Sequence, residues 1–199
     1  MSLSLRSILA ALLLIVPVSA ELAWPSSFGH RGDLMFAASQ VVGWLLLASV
    51  VRDGARRDPE LDARGAGRRG RRLLLAACFL QVSFALLYGV TTAVSGEPLE
   101  ASFVLFLLGF LAQVAGGLTW SRALGRAGLR TARVGIVTAA ITGVLAMLVA
   151  SDPFHDVFLL ASYAAWVVVG AGLEQQAGSS GRGRVRVATS SEDATRRVV

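Results

Sequence analysis

A chain of 199 residues would ordinarily fold as one soluble domain, but 54% hydrophobic residues, only 16% charged residues and a mean hydropathy of +0.62 lie outside the soluble range. The charges are gathered into short blocks between long uncharged runs, whereas a soluble helical protein spreads them along a solvated face of every helix, so a water-soluble domain is excluded. All 19 basic residues are arginine and the net charge is +6, yet most of them lie close to apolar runs, where anionic lipid headgroups are nearer partners than nucleic acid.

The expected architecture is an all-α polytopic transmembrane helix bundle with six spans, at about residues 7–24, 34–51, 73–94, 101–120, 134–151 and 154–173. At ~1.5 Å per residue such runs reach roughly 26 to 33 Å, which matches the ~30 Å hydrocarbon core. Backbone groups in lipid must be satisfied within the segment, and these runs lack the alternation of a barrel strand, so they are read as helices. The absence of lysine and the abundance of Ala, Gly, Leu and Val point to a GC-rich, bacterial genome.

The first segment has two readings. Arg6, the apolar stretch Ser7 to Val18, the breaker Pro17 and the small-residue triplet Val18-Ser19-Ala20 also describe a secretory signal peptide, whose cleavage would leave five spans. Trp24 at the boundary suits a retained anchor. In the second span Gln40 and Trp44 are four residues apart and share a helix face. The 52–72 segment, rich in Arg, Gly and Asp with one Pro, is expected to be a flexible loop.

In the third span Gln81 and Tyr88 share a face, and the lone Cys78 excludes an intramolecular disulfide and a cysteine-based zinc site. The fourth span carries Gln113 and the small pair Ala112 and Gly116, and the fifth carries Gly135, Ala139 and Gly143, spacings that let helix backbones approach within the bundle or between protomers. If the intervening 121–133 segment continues as a helix, Arg122, Arg126, Arg130 and Arg133 form a stripe along the headgroups, as a lipid site or a plain topological anchor. The sixth span brings Tyr163 and Trp166, and the segment 175–199 has the composition of a disordered tail.

Eighteen arginines flank the spans on one side and only Arg31 lies on the other, which predicts an inner, plasma-membrane protein with both termini cytoplasmic. The opposite face holds six acids, Glu21, Asp33, Glu97, Glu100, Asp152 and Asp156. No ionisable residue lies near the centre of a span, which weighs against proton relays, ion-coupled transport and voltage sensing. Two histidines at one face exclude an intramembrane bis-histidine haem, and no G-x-S-x-G elbow is present.

Two site hypotheses remain, each beside a plain structural reading. Gln40, Trp44, Gln81, Tyr88, Gln113, Tyr163 and Trp166 would line an intramembrane cavity for a lipid, quinone or other apolar molecule, or else simply pack the bundle. His30, Asp33, Asp152, His155 and Asp156 would converge on a divalent metal, or else are scattered loop polars. The functional expectation is a cofactor-free binding, accessory or scaffold subunit, with membrane lipids and a membrane protein as partners and no nucleic acid. The alternatives are a carrier of an apolar molecule and a membrane-embedded enzyme using the His/Asp cluster.

Overall fold

In the computed structural model the chain forms α1 (Leu3–Ala23), α2 (His30–Arg57), α3 (Glu60–Ala63), α4 (Gly65–Ser95), α5 (Ser102–Arg126), α6 (Arg130–Leu148) and α7 (Phe154–Arg196), with no strand among the described residues. The structure describes all residues except 24–29, 59, 64, 150–153 and 197–199, and leaves aside the side chains of 21, 22, 30, 60, 63 and 176–196 as well. Six helices, all but α3, are long and apolar enough to cross a membrane, so the chain is an all-α, multi-pass membrane protein.

The helices form a closed ring. Each long helix packs against its neighbours in chain order, α1 on α2, α2 on α4, α4 on α5, α5 on α6 and α6 on α7, and α7 returns to α1. Across the ring, α2 also touches α7. The ring sorts residues by size and place: Trp44, Trp120 and Trp166 are fully buried inside, while Leu12, Leu45, Phe79, Leu86, Val90 and Leu111 are exposed outside, where lipid would meet them. A surface this apolar is intelligible only in a bilayer.

Close backbone approach holds the ring together. A Cβ on Gly135 would lie 2.8 Å from the Val169 backbone nitrogen, and one on Gly116 would lie 2.8 Å from that of Leu74. The small-residue stripe of α6 is therefore used within the bundle, and Ser162 adds a buried hydrogen bond by donating to the Ala139 carbonyl at 2.9 Å. Lipid gives helices no hydrophobic reason to associate, so such packing and interhelical hydrogen bonds supply the attraction.

Two local expectations are revised. The 52–72 segment is largely helical instead of a loose loop: α2 continues to Arg57, α4 begins at Gly65, and α3 lies between them. Leu61 is buried, Asp62 pairs with Arg71 at 2.6 Å, and Gly70 lets α4 sit against the Trp120 backbone, so tertiary contacts order a composition that reads as flexible. The 121–133 segment is not one helix. Leu129 N donates to Leu124 O at 2.9 Å and Gly128 N to Gly125 O at 3.3 Å, with Gly128 at φ 77°, a Schellman-like termination that divides the arginine stripe between α5 and α6. The backbone of α7 continues as helix to Arg196.

Helix α1 runs unbroken through Pro17. Leu3, Ser7, Ala10 and Leu14 are buried at a heptad-like spacing against α2 and α7, and Leu5, Ile8, Leu12 and Val16 face outward. At its start the Ser4 backbone nitrogen donates to Glu174 Oε2 at 3.0 Å, and Arg6 pairs with Asp53 at 2.6 Å.

Candidate binding cavity

The first turns of α2 and α7 each carry one carboxylate, Asp33 and Asp156, where the positive end of the helix dipole favours negative charge. The sequence then repeats itself on the two helices: Asp33, Phe36 and Gln40 have the same i, i+3, i+7 spacing as Asp156, Leu159 and Tyr163. That spacing lays three side chains along one helix face. Because α2 and α7 meet across the ring, both faces turn to a common interior.

That interior is a cavity of about 260 Å³ lined by Val18, Asp33, Phe36, Gln40, Phe84, Tyr88, Phe103, Phe106, His155, Asp156, Leu159 and Tyr163. Every one of these residues lies in the part of its span toward the arginine-poor end. From Asp33 to Gln40, and from Asp156 to Tyr163, the wall descends by roughly 10 Å, about a third of the hydrocarbon thickness.

The polar groups are held in defined orientations. Tyr88 donates its hydroxyl to Asp33 Oδ1 at 3.0 Å. His155 Nδ1 lies 2.6 Å from the Ala146 carbonyl near the end of α6; a carbonyl only accepts, so Nδ1 carries the proton there. Deeper in, the Trp44 indole donates to Gln40 Oε1 at 3.0 Å. An indole N–H can only donate, so it fixes the amide with Oε1 toward Trp44. Gln40 is 3% exposed and its Nε2 has no hydrogen-bond partner among the described residues.

The remaining wall is aromatic. Phe84 has its ring centroid 5.7 Å from Tyr88, 5.7 Å from Phe103 and 5.3 Å from Phe106, and Tyr88 meets Phe36 edge-on at 5.8 Å. Trp44 packs edge-on against Tyr163 at 6.0 Å, and both are buried, which closes the cavity toward the arginine-rich half. The result is an acidic mouth, an aromatic wall and an amide at the floor.

The two sets of candidate residues from the sequence therefore meet in part. Gln40, Tyr88 and Tyr163 of the first set and Asp33, His155 and Asp156 of the second line the same space. Trp44 stands behind Gln40. Gln81, Gln113 and Trp166 do not line it: the Gln81 amide donates to the Phe106 carbonyl at 3.2 Å, and Gln113 and Trp166 are buried elsewhere in the bundle. Asp152 and the His30 side chain lie outside the described residues, and among the described residues no group of three His, Cys, Asp or Glu side chains could hold a metal ion. Arg122, Arg126, Arg130 and Arg133 are exposed at the opposite end.

Sequence reasoning missed the hydrophobic part of the wall, above all Phe36, Phe84, Phe103 and Phe106. The repeated spacing on α2 and α7 is a readable signal for Phe36, but Phe residues among so many apolar ones offer no sequence contrast. No protein-family profile matches the chain, and neither the curated proteins nor the solved structures contain a significant match. Fold and cavity together thus define its class: a multi-pass helical membrane protein whose helix ring lines an open cavity of about 260 Å³.

Proposed function

We propose that this protein is a membrane-embedded binding subunit for a small amphipathic molecule, which reaches the cavity from the arginine-poor face. The arginine-rich face and both termini lie in the cytoplasm of a bacterial cell, so the cavity opens to the extracytoplasmic side. The exposed arginines after α5 rest among anionic headgroups, each contributing about 1 kcal/mol near the surface.

The observation that carries this reading is Gln40. A buried amide N–H without a partner costs about 1 to 3 kcal/mol. Here the unpartnered Nε2 belongs to a residue lining a cavity, oriented by Trp44, and an acceptor oxygen on a bound molecule would satisfy it. The aromatic wall supplies apolar contact for the rest of the molecule, as ligand pockets ordinarily do.

The test is native purification in mild detergent followed by mass spectrometry of retained small molecules. Wild type should carry one. Gln40→Met, which keeps the volume and removes the donor, should weaken retention by about ten-fold or more while the thermal midpoint falls only modestly. A wild-type protein that retains nothing, or a Gln40→Met variant with unchanged content, would overturn the reading.

A further inference from the structure

The deep end of the cavity holds two polar groups, not one. Gln40 of α2 and Tyr163 of α7 occupy the same place in the repeated spacing of those helices, and both line the cavity although they are only 3% and 4% exposed. Like Gln40 Nε2, the Tyr163 hydroxyl has no hydrogen-bond partner among the described residues. Trp44 holds both: its indole donates to Gln40 Oε1 at 3.0 Å, and its ring packs edge-on against that of Tyr163 at 6.0 Å. With Oε1 already engaged, Gln40 offers the cavity a donor, and Tyr163 offers an O–H beside it. Nearer the mouth the lining is rich in phenylalanine, with Phe84 5.7 Å from Phe103 and 5.3 Å from Phe106 between ring centroids. Among the described residues neither lysine nor arginine lines the space.

We propose, resting on the binding reading above, that the ligand is a neutral, conjugated carbonyl compound of the aryl ketone or quinone class. Its carbonyl oxygen accepts from both Gln40 Nε2 and the Tyr163 hydroxyl, and its flat body lies among the phenylalanine rings. One carbonyl oxygen has two lone pairs and no proton of its own, so it serves two donors at once. A carboxylate would also accept from both, but it would be buried there without a cationic side chain to offset its lost hydration. A hydrocarbon leaves both donors unpartnered, and a site built around hydrogen bonds rejects an analogue that cannot make them. The rings favour a flat body, because aromatic groups gain from offset-stacked and edge-on contacts beyond their buried area.

Three naphthalene probes of nearly one shape separate these demands: the ketone 2-acetylnaphthalene, the hydrocarbon 2-isopropenylnaphthalene with a methylene in place of the oxygen, and the anion 2-naphthoate. Each is equilibrated by dialysis against the purified full-length protein, with the same detergent in both chambers so that partition into micelles cancels. The ketone should bind about ten-fold or more tightly than either of the others. Tyr163→Phe removes only the hydroxyl; it should cut the ketone's advantage over the hydrocarbon by about three-fold or more and leave hydrocarbon binding as it was. Gln40→Met should act in the same direction, and the double variant should bind ketone and hydrocarbon alike. Gln81→Leu, outside the lining, should keep the full advantage. Equal binding of ketone and hydrocarbon to wild type overturns the carbonyl assignment, since water would then serve the two donors as well. Naphthoate binding as tightly as the ketone overturns the neutral class, and an undiminished advantage in Tyr163→Phe overturns the paired donors. Loss of every probe from Tyr163→Phe also overturns them, because removing a donor should spare the hydrocarbon. If no probe binds wild type but a molecule co-purifies, the carbonyl assignment alone falls; if none binds and nothing co-purifies, the binding reading falls with it.

Discussion

Gln40 and Gln81 are the same residue type at similar burial, and their surroundings give them opposite roles. The Gln81 amide is spent on the Phe106 carbonyl of the neighbouring helix, a bond of the kind that contributes about 0.6 kcal/mol on average in a bilayer. Gln81→Leu should therefore lower stability by about 1 kcal/mol or less and leave retained ligand unchanged, as a thermal melt beside mass spectrometry would reveal. Trp166 is fully buried and lies outside the cavity lining, so Trp166→Ala should cost about 3 to 5 kcal/mol through lost packing, and any change in ligand content should follow the loss of fold. A Trp166→Ala protein of wild-type stability that lost its ligand would contradict this separation. In the sequence all three residues are equally polar or aromatic positions in apolar spans. Only their neighbours distinguish them.

At the scale of an element, the packing of α1 motivates a prediction about the N-terminus. A signal peptide has no lasting use for a packed face, yet Leu3, Ser7, Ala10 and Leu14 fill the seam between α2 and α7, with Leu14 beside Gly43 and Ser7 beside Gly170. Val18 contributes to the cavity itself. We expect α1 to be retained: N-terminal sequencing of the purified protein should not begin at Glu21, and a version starting there should be strongly destabilised and lose the cavity wall. The Arg6 to Asp53 pair ties the same end of α1 to α2. The connection after α5 makes a related point, because one glycine in the left-handed region at Gly128 ends a helix that charge periodicity alone would have continued.

For the whole molecule, the arginine asymmetry predicts one orientation. Reporter fusions after Arg72, Arg133 and Val199 should report cytoplasm, and fusions near Gly32 and Gly96 the outside; an external signal after Arg72 would invert the cavity and remove the proposed route of access. In that orientation the 260 Å³ cavity would face outward, with the Trp44–Tyr163 contact on its inner side.

The sequence by itself determined that this is a six-helix membrane bundle, because span length, backbone satisfaction in lipid and charge segregation are properties of contiguous residues. It also marked Asp33, Gln40, His155, Asp156 and Tyr163 as the polar exceptions. What only the tertiary structure decided is that they belong to one cavity: which face of each helix turns inward follows from the closing of α7 on α1 and from glycine contacts such as Gly135 on Val169, between residues far apart in the chain. Helical periodicity shows that two residues share a face, but in a span apolar all round it does not show which face is inside.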